Sequence, residues 1–142
     1  MRGRIAALVL AALLPGACAS PGGALCREQV EYRLYFGADT PAGEVTSAQW
    51  AAVLGESLTP RFPEGLTVYS ARGQWRDGGG RIVGEETRVV EVLREGTPQD
   101  EAGVAAAAKE YRERFKQESV LVTRKPVRAC FQGSRIISDR GL

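Results

Sequence analysis

Apolar and polar positions alternate with period two from Val30 to Phe36: Val30, Tyr32, Leu34 and Phe36 fall on one side, Glu31, Arg33 and Tyr35 on the other. Such alternation predicts a half-buried strand. Residues 37–45 hold Gly, Pro and Asp and read as a loop. Thr46 or Ser47 can cap a helix that places Trp50, Val53, Leu54 and Leu58 on one face, ended by Pro60 and Pro63. Residues 66–76 are rich in β-branched and aromatic types and read as a second strand, with Gly73 a candidate bulge. Asp77-Gly78-Gly79-Gly80 is a hairpin turn, and residues 81–94 return as its partner strand. Thr97 caps a second helix with Pro98 at its first position, and Val104, Ala108, Tyr111 and Phe115 form its apolar stripe. A last strand runs over 119–131, with a bulge expected at Pro126.

The order β-α-β-β-α-β predicts a ferredoxin-like α+β fold: a four-stranded antiparallel sheet with two helices on one face. In that topology the first and last strands are antiparallel neighbours. A single pairing offset sets Leu34 against Val122, Phe36 against Val120 and Cys26 against Cys130, so apolar register and cysteine positions agree. The face away from the helices would show Glu31, Arg33, Tyr35, Val89, Glu91, Leu93, Leu121 and Thr123. Half of that is apolar, which suits an association surface or a ligand site, most simply a homodimer formed through the open sheet face.

The N-terminal segment changes the compartment. Arg2 and Arg4 precede a wholly apolar stretch, 5–14, and then Gly16-Ala17-Cys18. This is the layout of an export signal, and ten apolar residues are too few to cross a bilayer. Two fates of Cys18 follow. Acylation would make the mature protein a lipoprotein anchored to the membrane. Cleavage after Ala17-Cys18-Ala19 would discard the cysteine and leave a soluble periplasmic or secreted protein. The expected organisation is a signal peptide over 1–17, the lipidated Cys18 and a short tether over 18–27, the domain over 28–131 and a tail over 132–142. Both routes leave Cys26 and Cys130 as a pair in an oxidising compartment, where a structural disulfide is expected.

Charge and residue usage exclude several classes. The chain carries 19 Lys+Arg against 17 Asp+Glu, and the excess is Arg2 and Arg4. A mature chain of balanced charge lacks the footprint of a nucleic-acid binder. There is no histidine, which removes the commonest general base and metal ligand, and no metal-ligand spacing or cofactor motif is present. Glu85-Glu86 reads as a solvated pair, since adjacent strand residues point to opposite faces. The most site-like cluster is Gln74-Trp75-Arg76 with Arg61: two arginines can fork onto a carboxylate or phosphate beside an aromatic anchor. Its plainer reading is an edge aromatic with solvated arginines. Arg33, Tyr35 and Glu91 on the open sheet face are the second candidate group.

Tyr35-Phe36-Gly37, Trp50, the run from Thr59 to Thr67 (TPRFPEGLT), Gly73 to Asp77 (GQWRD), Tyr111 to Phe115 and Gln117 to Val120 together resemble a bacterial family, domain of unknown function 3574. The resemblance covers residues 28–131 and implies a small exported protein, in many cases a lipoprotein. It implies no activity, cofactor or site residue. The sequence therefore predicts an uncharacterised cell-envelope domain facing the periplasm, most simply a non-catalytic binding or structural module. The alternative is a small ligand-binding protein or enzyme using the open sheet face, and the partner is an unidentified envelope protein or small ligand.

Overall fold

The computed structural model describes residues 25–132. The expected signal peptide, Cys18, most of the expected tether and all but the first residue of the expected tail lie outside the described residues. Ten elements follow in order: β1 (Leu25–Gly37), β2 (Asp39–Thr40), β3 (Gly43–Glu44), α1 (Ser47–Ala52), a π-helical turn (Val53–Leu58), α2 (Thr59–Arg61), β4 (Thr67–Arg76), β5 (Ile82–Arg94), α3 (Pro98–Phe115) and β6 (Leu121–Phe131). The main sheet has the order β4-β5-β1-β6, the arrangement expected of a split β-α-β fold, and β2 and β3 form a separate small hairpin.

Val30, Tyr32, Leu34 and Phe36 of β1 and Val90 and Val92 of β5 form the core with Val104, Ala107, Tyr111 and Phe115 of α3. Phe36, Trp50, Tyr111 and Phe115 make a run of tilted and edge-on rings with centroids 4.6–6.4 Å apart. Such pairs contribute about 0.5–1.5 kcal/mol each beyond area burial. Two tyrosine hydroxyls help tie α3 to the sheet, beside the arginine contacts of Arg94 to Asp100 and Arg124 to Glu101. Tyr32 donates to Glu101 at 2.6 Å, and Tyr111 donates to the Gly37 carbonyl at 2.8 Å.

Both helix starts are closed by capping boxes, Thr46 with Gln49 and Thr97 with Asp100, so the local signals in the sequence are realised. The first helical segment departs from a plain α-helix. Pro60 has no N–H to bond the carbonyl four residues back, and its ring crowds that turn. The chain widens there, and the Thr59 N–H bonds Leu54 O five residues back. The Arg61 guanidinium donates to the Ser57 carbonyl at 2.7 Å, supplying a partner inside the wide turn. Ser57 is buried at this point, a position the sequence pattern did not mark as core.

Cys26 and Cys130 are disulfide-bonded, with Cα atoms 4.0 Å apart, as the shared offset predicts. Strand β1 starts at Leu25, three residues before the expected domain boundary. Val122, expected in the core opposite Leu34, is 36% exposed because an edge strand has a neighbour on one side only. Among the described residues no helix is long and apolar enough to cross a membrane.

Candidate functional site

The helices cover one side of the sheet, and the register orders what the other side displays. Val68 faces Val90 and Leu34 faces Val90 on the core side, so the odd-numbered positions of β1, β4 and β5 lie on the open side. Three rows cross the strands there. Arg33, Glu91 and Thr67 form the first row, Tyr35, Val89 and Tyr69 the second, and Gly37, Thr87 and Ala71 the third. Beyond Gly37 strand β1 ends, and β4 and β5 continue as a two-stranded ribbon carrying Glu85 opposite Gly73 and Val83 opposite Trp75.

Arg33, Tyr35 and Glu91 are brought together, as the sequence predicts. The Arg33 Nε lies 2.8 Å from Glu91 and 3.1 Å from Glu31, so one guanidinium is shared by two carboxylates. Val89 does not behave as an exposed apolar residue. It is 1% exposed, because it sits on a central strand with a tyrosine in register on either side. Leu93 is half-buried, while Leu121 is 59% exposed and Tyr69 40%. The exposed apolar part of this face is therefore peripheral, at Leu121 and Tyr69, and not at Val89 in its centre.

The cluster of Arg61, Gln74, Trp75 and Arg76 is not one site. Arg61 ends the first helical segment and is bound to Ser57 at 2.8 Å and Glu110 at 2.7 Å. Gln74 to Arg76 lie at the other end of β4, nine residues past Thr67 at Arg76, or about 30 Å along an extended strand. Alternation also divides the triplet, with Trp75 on the open side and Gln74 and Arg76 on the helix side. Trp75 is 40% exposed, and Arg76 donates to the Gly80 carbonyl, tying the hairpin turn. That turn is closed by Asp77, which accepts from the Gly79 and Arg81 N–H groups at 2.9 Å and is held below its ordinary pKa chiefly by the Arg81 backbone and guanidinium. It is the hairpin turn that the sequence predicts, closed by its own side-chain and backbone hydrogen bonds.

Glu85 departs from the expected solvated pair. Glu86 does face water, 3.9 Å from Arg72. Glu85 is half-buried, and its carboxyl folds back over Gly37, where a methyl group would sit 2.8 Å from its Cδ carbon. The bare glycine is what lets the carboxyl lie there. Burial raises the Glu85 pKa, Asp39 adds to the rise, and a backbone hydrogen bond from Asp39 opposes it. On the other side of the same residue, Tyr111 is pushed up to about 12 by burial and by Glu85, so it stays protonated and keeps donating to Gly37. The signal for Glu85 exists only once the register and the end of β1 are known.

Two shallow depressions lie elsewhere. One, of about 350 Å³, is bounded by the β2–β3 hairpin, Gln49 and the end of α3. The other, of about 270 Å³, lies between α3 and the start of β6. Neither is lined by any of the candidate site residues Arg33, Tyr35, Arg61, Gln74, Trp75, Arg76 or Glu91. Among the described residues no three His, Cys, Asp or Glu side chains are grouped to hold a metal.

Fold and site together define a small ferredoxin-like α+β domain with one covered and one open sheet face. Residues 31–131 match the family described as Protein of unknown function (DUF3574), and the chain belongs to that family. No curated protein sequence matches it. Among solved structures, a phage SAM lyase in complex with S-methyl-5'-thioadenosine is similar, with TM-score 0.55 and 19% identity over 74% of this chain and 90% of that chain. A phage SAM lyase in the apo state has TM-score 0.52 and 22% identity over 77% of this chain and 93% of that chain. At these identities the likeness is one of fold.

Proposed function

We propose that this protein is an exported, envelope-attached binding domain that takes a small flat ligand on the open face of its sheet. The ligand carries a cationic or N–H donor group. The observation that supports this reading is Glu85. Its carboxyl is partly desolvated, its pKa is raised, and among the described residues the charged group acting on it is another carboxylate, Asp39. The arginine on the same face, by contrast, is already shared by Glu31 and Glu91. A carboxylate without a counter-charge is where a ligand donor gains most. Tyr35 and Tyr69 offer rings on the same face, in the row through Val89 next to the Gly37 row. Glu85 is also the group best suited to proton transfer, but the chain has no histidine to complete an acid–base pair, and binding is the function this geometry supports.

The fold shared with the phage SAM lyases supports a choice of first probe. S-methyl-5'-thioadenosine has a flat ring to stack and an exocyclic amine to donate. Calorimetric titration of the exported protein with S-methyl-5'-thioadenosine and with SAM tests the proposal. Binding of either, weakened by Glu85→Gln and by Tyr69→Ala, is expected. No heat with either compound at millimolar concentration overturns it.

Attachment belongs to the same proposal. Seven residues would separate acylated Cys18 from Cys26. At ~3.5 Å per extended residue, the domain would then work within about 30 Å of the lipid surface.

A further inference from the structure

The two edges of the main sheet are built differently. The outer strand β6 carries Arg124, Lys125, Pro126 and Arg128, all exposed. Proline and lysine on an edge are devices that keep other strands from pairing with it. The opposite edge, β4, runs ten residues from Thr67 to Arg76 with neither proline nor lysine. Every second N–H and C=O of that strand points away from β5, a ready template for one more strand.

We infer that β4 pairs antiparallel with β4 of a second copy, and that Trp75 of each copy completes the open-face site of the other. This rests on the reading of the open face given above. A two-fold axis perpendicular to the sheet keeps the helices of both copies on one side, so each residue must meet a residue of its own face. Registers centred on Ala71, Arg72 or Gly73 satisfy that condition. Centring on Ala71 sets Tyr69 against Gly73 and Trp75 against Thr67. Centring on Gly73 sets Trp75 against Ala71 and leaves Tyr69 beyond Arg76. Only centring on Arg72 sets Tyr69 directly against Trp75, covering the two aromatic side chains that are each 40% exposed on this strand. Cross-strand aromatic pairs of this kind stabilise sheets.

The charges accommodate the same register. Arg72 would meet its copy at the axis on the helix side, and each has Glu86 of its own subunit 3.9 Å away to offset the repulsion. On the open side the row of Tyr35, Val89 and Tyr69 would continue into Trp75 of the second copy. Within one copy Tyr69 and Trp75 are six residues apart on one strand, about 20 Å, too far for one small flat ligand to touch both. In the pair they are adjacent.

Cysteine cross-linking in the full chain, exported by a bacterial host, tests this. Arg72→Cys, at the axis, should form a disulfide-linked dimer on a non-reducing gel above the background of the parent chain. Ser70→Cys should not, because its opposite number is Gln74. Co-expressing Ser70→Cys with Gln74→Cys should restore the dimer. Sedimentation of the parent as a monomer at every concentration overturns the pairing. A dimer band from Ser70→Cys that exceeds that of Arg72→Cys overturns this register. Ligand titration separates the two proposals. If S-methyl-5'-thioadenosine binds and Trp75→Ala weakens it about tenfold, as Tyr69→Ala does, the second copy contributes to the site. If it binds without regard to Trp75, the shared site falls and the binding proposal stands. If Arg72→Cys cross-links while neither compound binds, the strand pairing stands and the ligand reading falls.

Discussion

Gly37→Ala puts the candidate site under a defined strain. Its new methyl group would lie 2.8 Å from the Glu85 Cδ, against an ordinary carbon–carbon contact of about 3.5 Å, so the carboxyl must swing away by roughly 1 Å or more. The obstacle is the far end of a flexible side chain, so the fold should survive. The swing breaks the hydrogen bond from the Asp39 backbone, a loss of about 0.5–1.5 kcal/mol. The pH dependence distinguishes this from a packing defect. Glu85 has a folded-state pKa raised by burial and by Asp39. Its stabilising contribution is therefore fully present below the ordinary carboxylate range and is lost as pH rises through the raised value. In Gly37→Ala the carboxyl reaches water, its pKa returns toward the ordinary value, and that contribution disappears. The variant should thus lose more stability at acid pH than at neutral pH, while Glu85→Gln should be relatively more stable at neutral pH than at acid pH. Urea unfolding at several pH values, with NMR titration of the Glu85 carboxyl, measures both. A loss above about 3 kcal/mol, on the scale of core disruption, or a loss independent of pH, would rule out a flexible carboxyl over Gly37 as the cause.

Two further outcomes follow from the covalent features. Replacing Cys26 and Cys130 by serine opens a loop with a sequence separation of 104, for which the chain-entropy model gives up to ~4.7 kcal/mol. Urea midpoints of the oxidised parent and the double variant should differ accordingly, and two free thiols titrating in the oxidised parent would contradict the bridge. For Cys18, the full chain expressed in a bacterium should partition into detergent and Cys18→Ala should not. Mass spectrometry that finds Ser20 at the mature N-terminus without lipid would end the anchoring proposal.

What was legible in the sequence was local or strictly periodic. The caps at Thr46 and Thr97 need only residues three positions away, and the even positions of β1 declare the core face without knowledge of a partner strand. The disulfide was legible because one offset served both the apolar pairs and the cysteines. The burial of Val89 was not, since it depends on tyrosines of two other strands arriving in register. Arg61 and Trp75 looked like neighbours because only fourteen positions separate them, yet a long extended strand carries them apart. Glu85 was hidden for a third reason. Its character depends on β1 stopping at Gly37, so that a side chain just past the end can fold back onto a bare backbone. The wide turn over Val53–Leu58 follows from Pro60, whose effect on the turn before it was read only as a stop.

The claim on which the rest turns is that the open sheet face binds a small ligand at Glu85. Calorimetric titration of the protein with S-methyl-5'-thioadenosine, run beside Glu85→Gln, measures it most directly. Saturable heat is expected in the parent, with a clearly weaker isotherm in Glu85→Gln. Equal affinity in the two proteins, or no binding in the parent with either this compound or SAM, would contradict it.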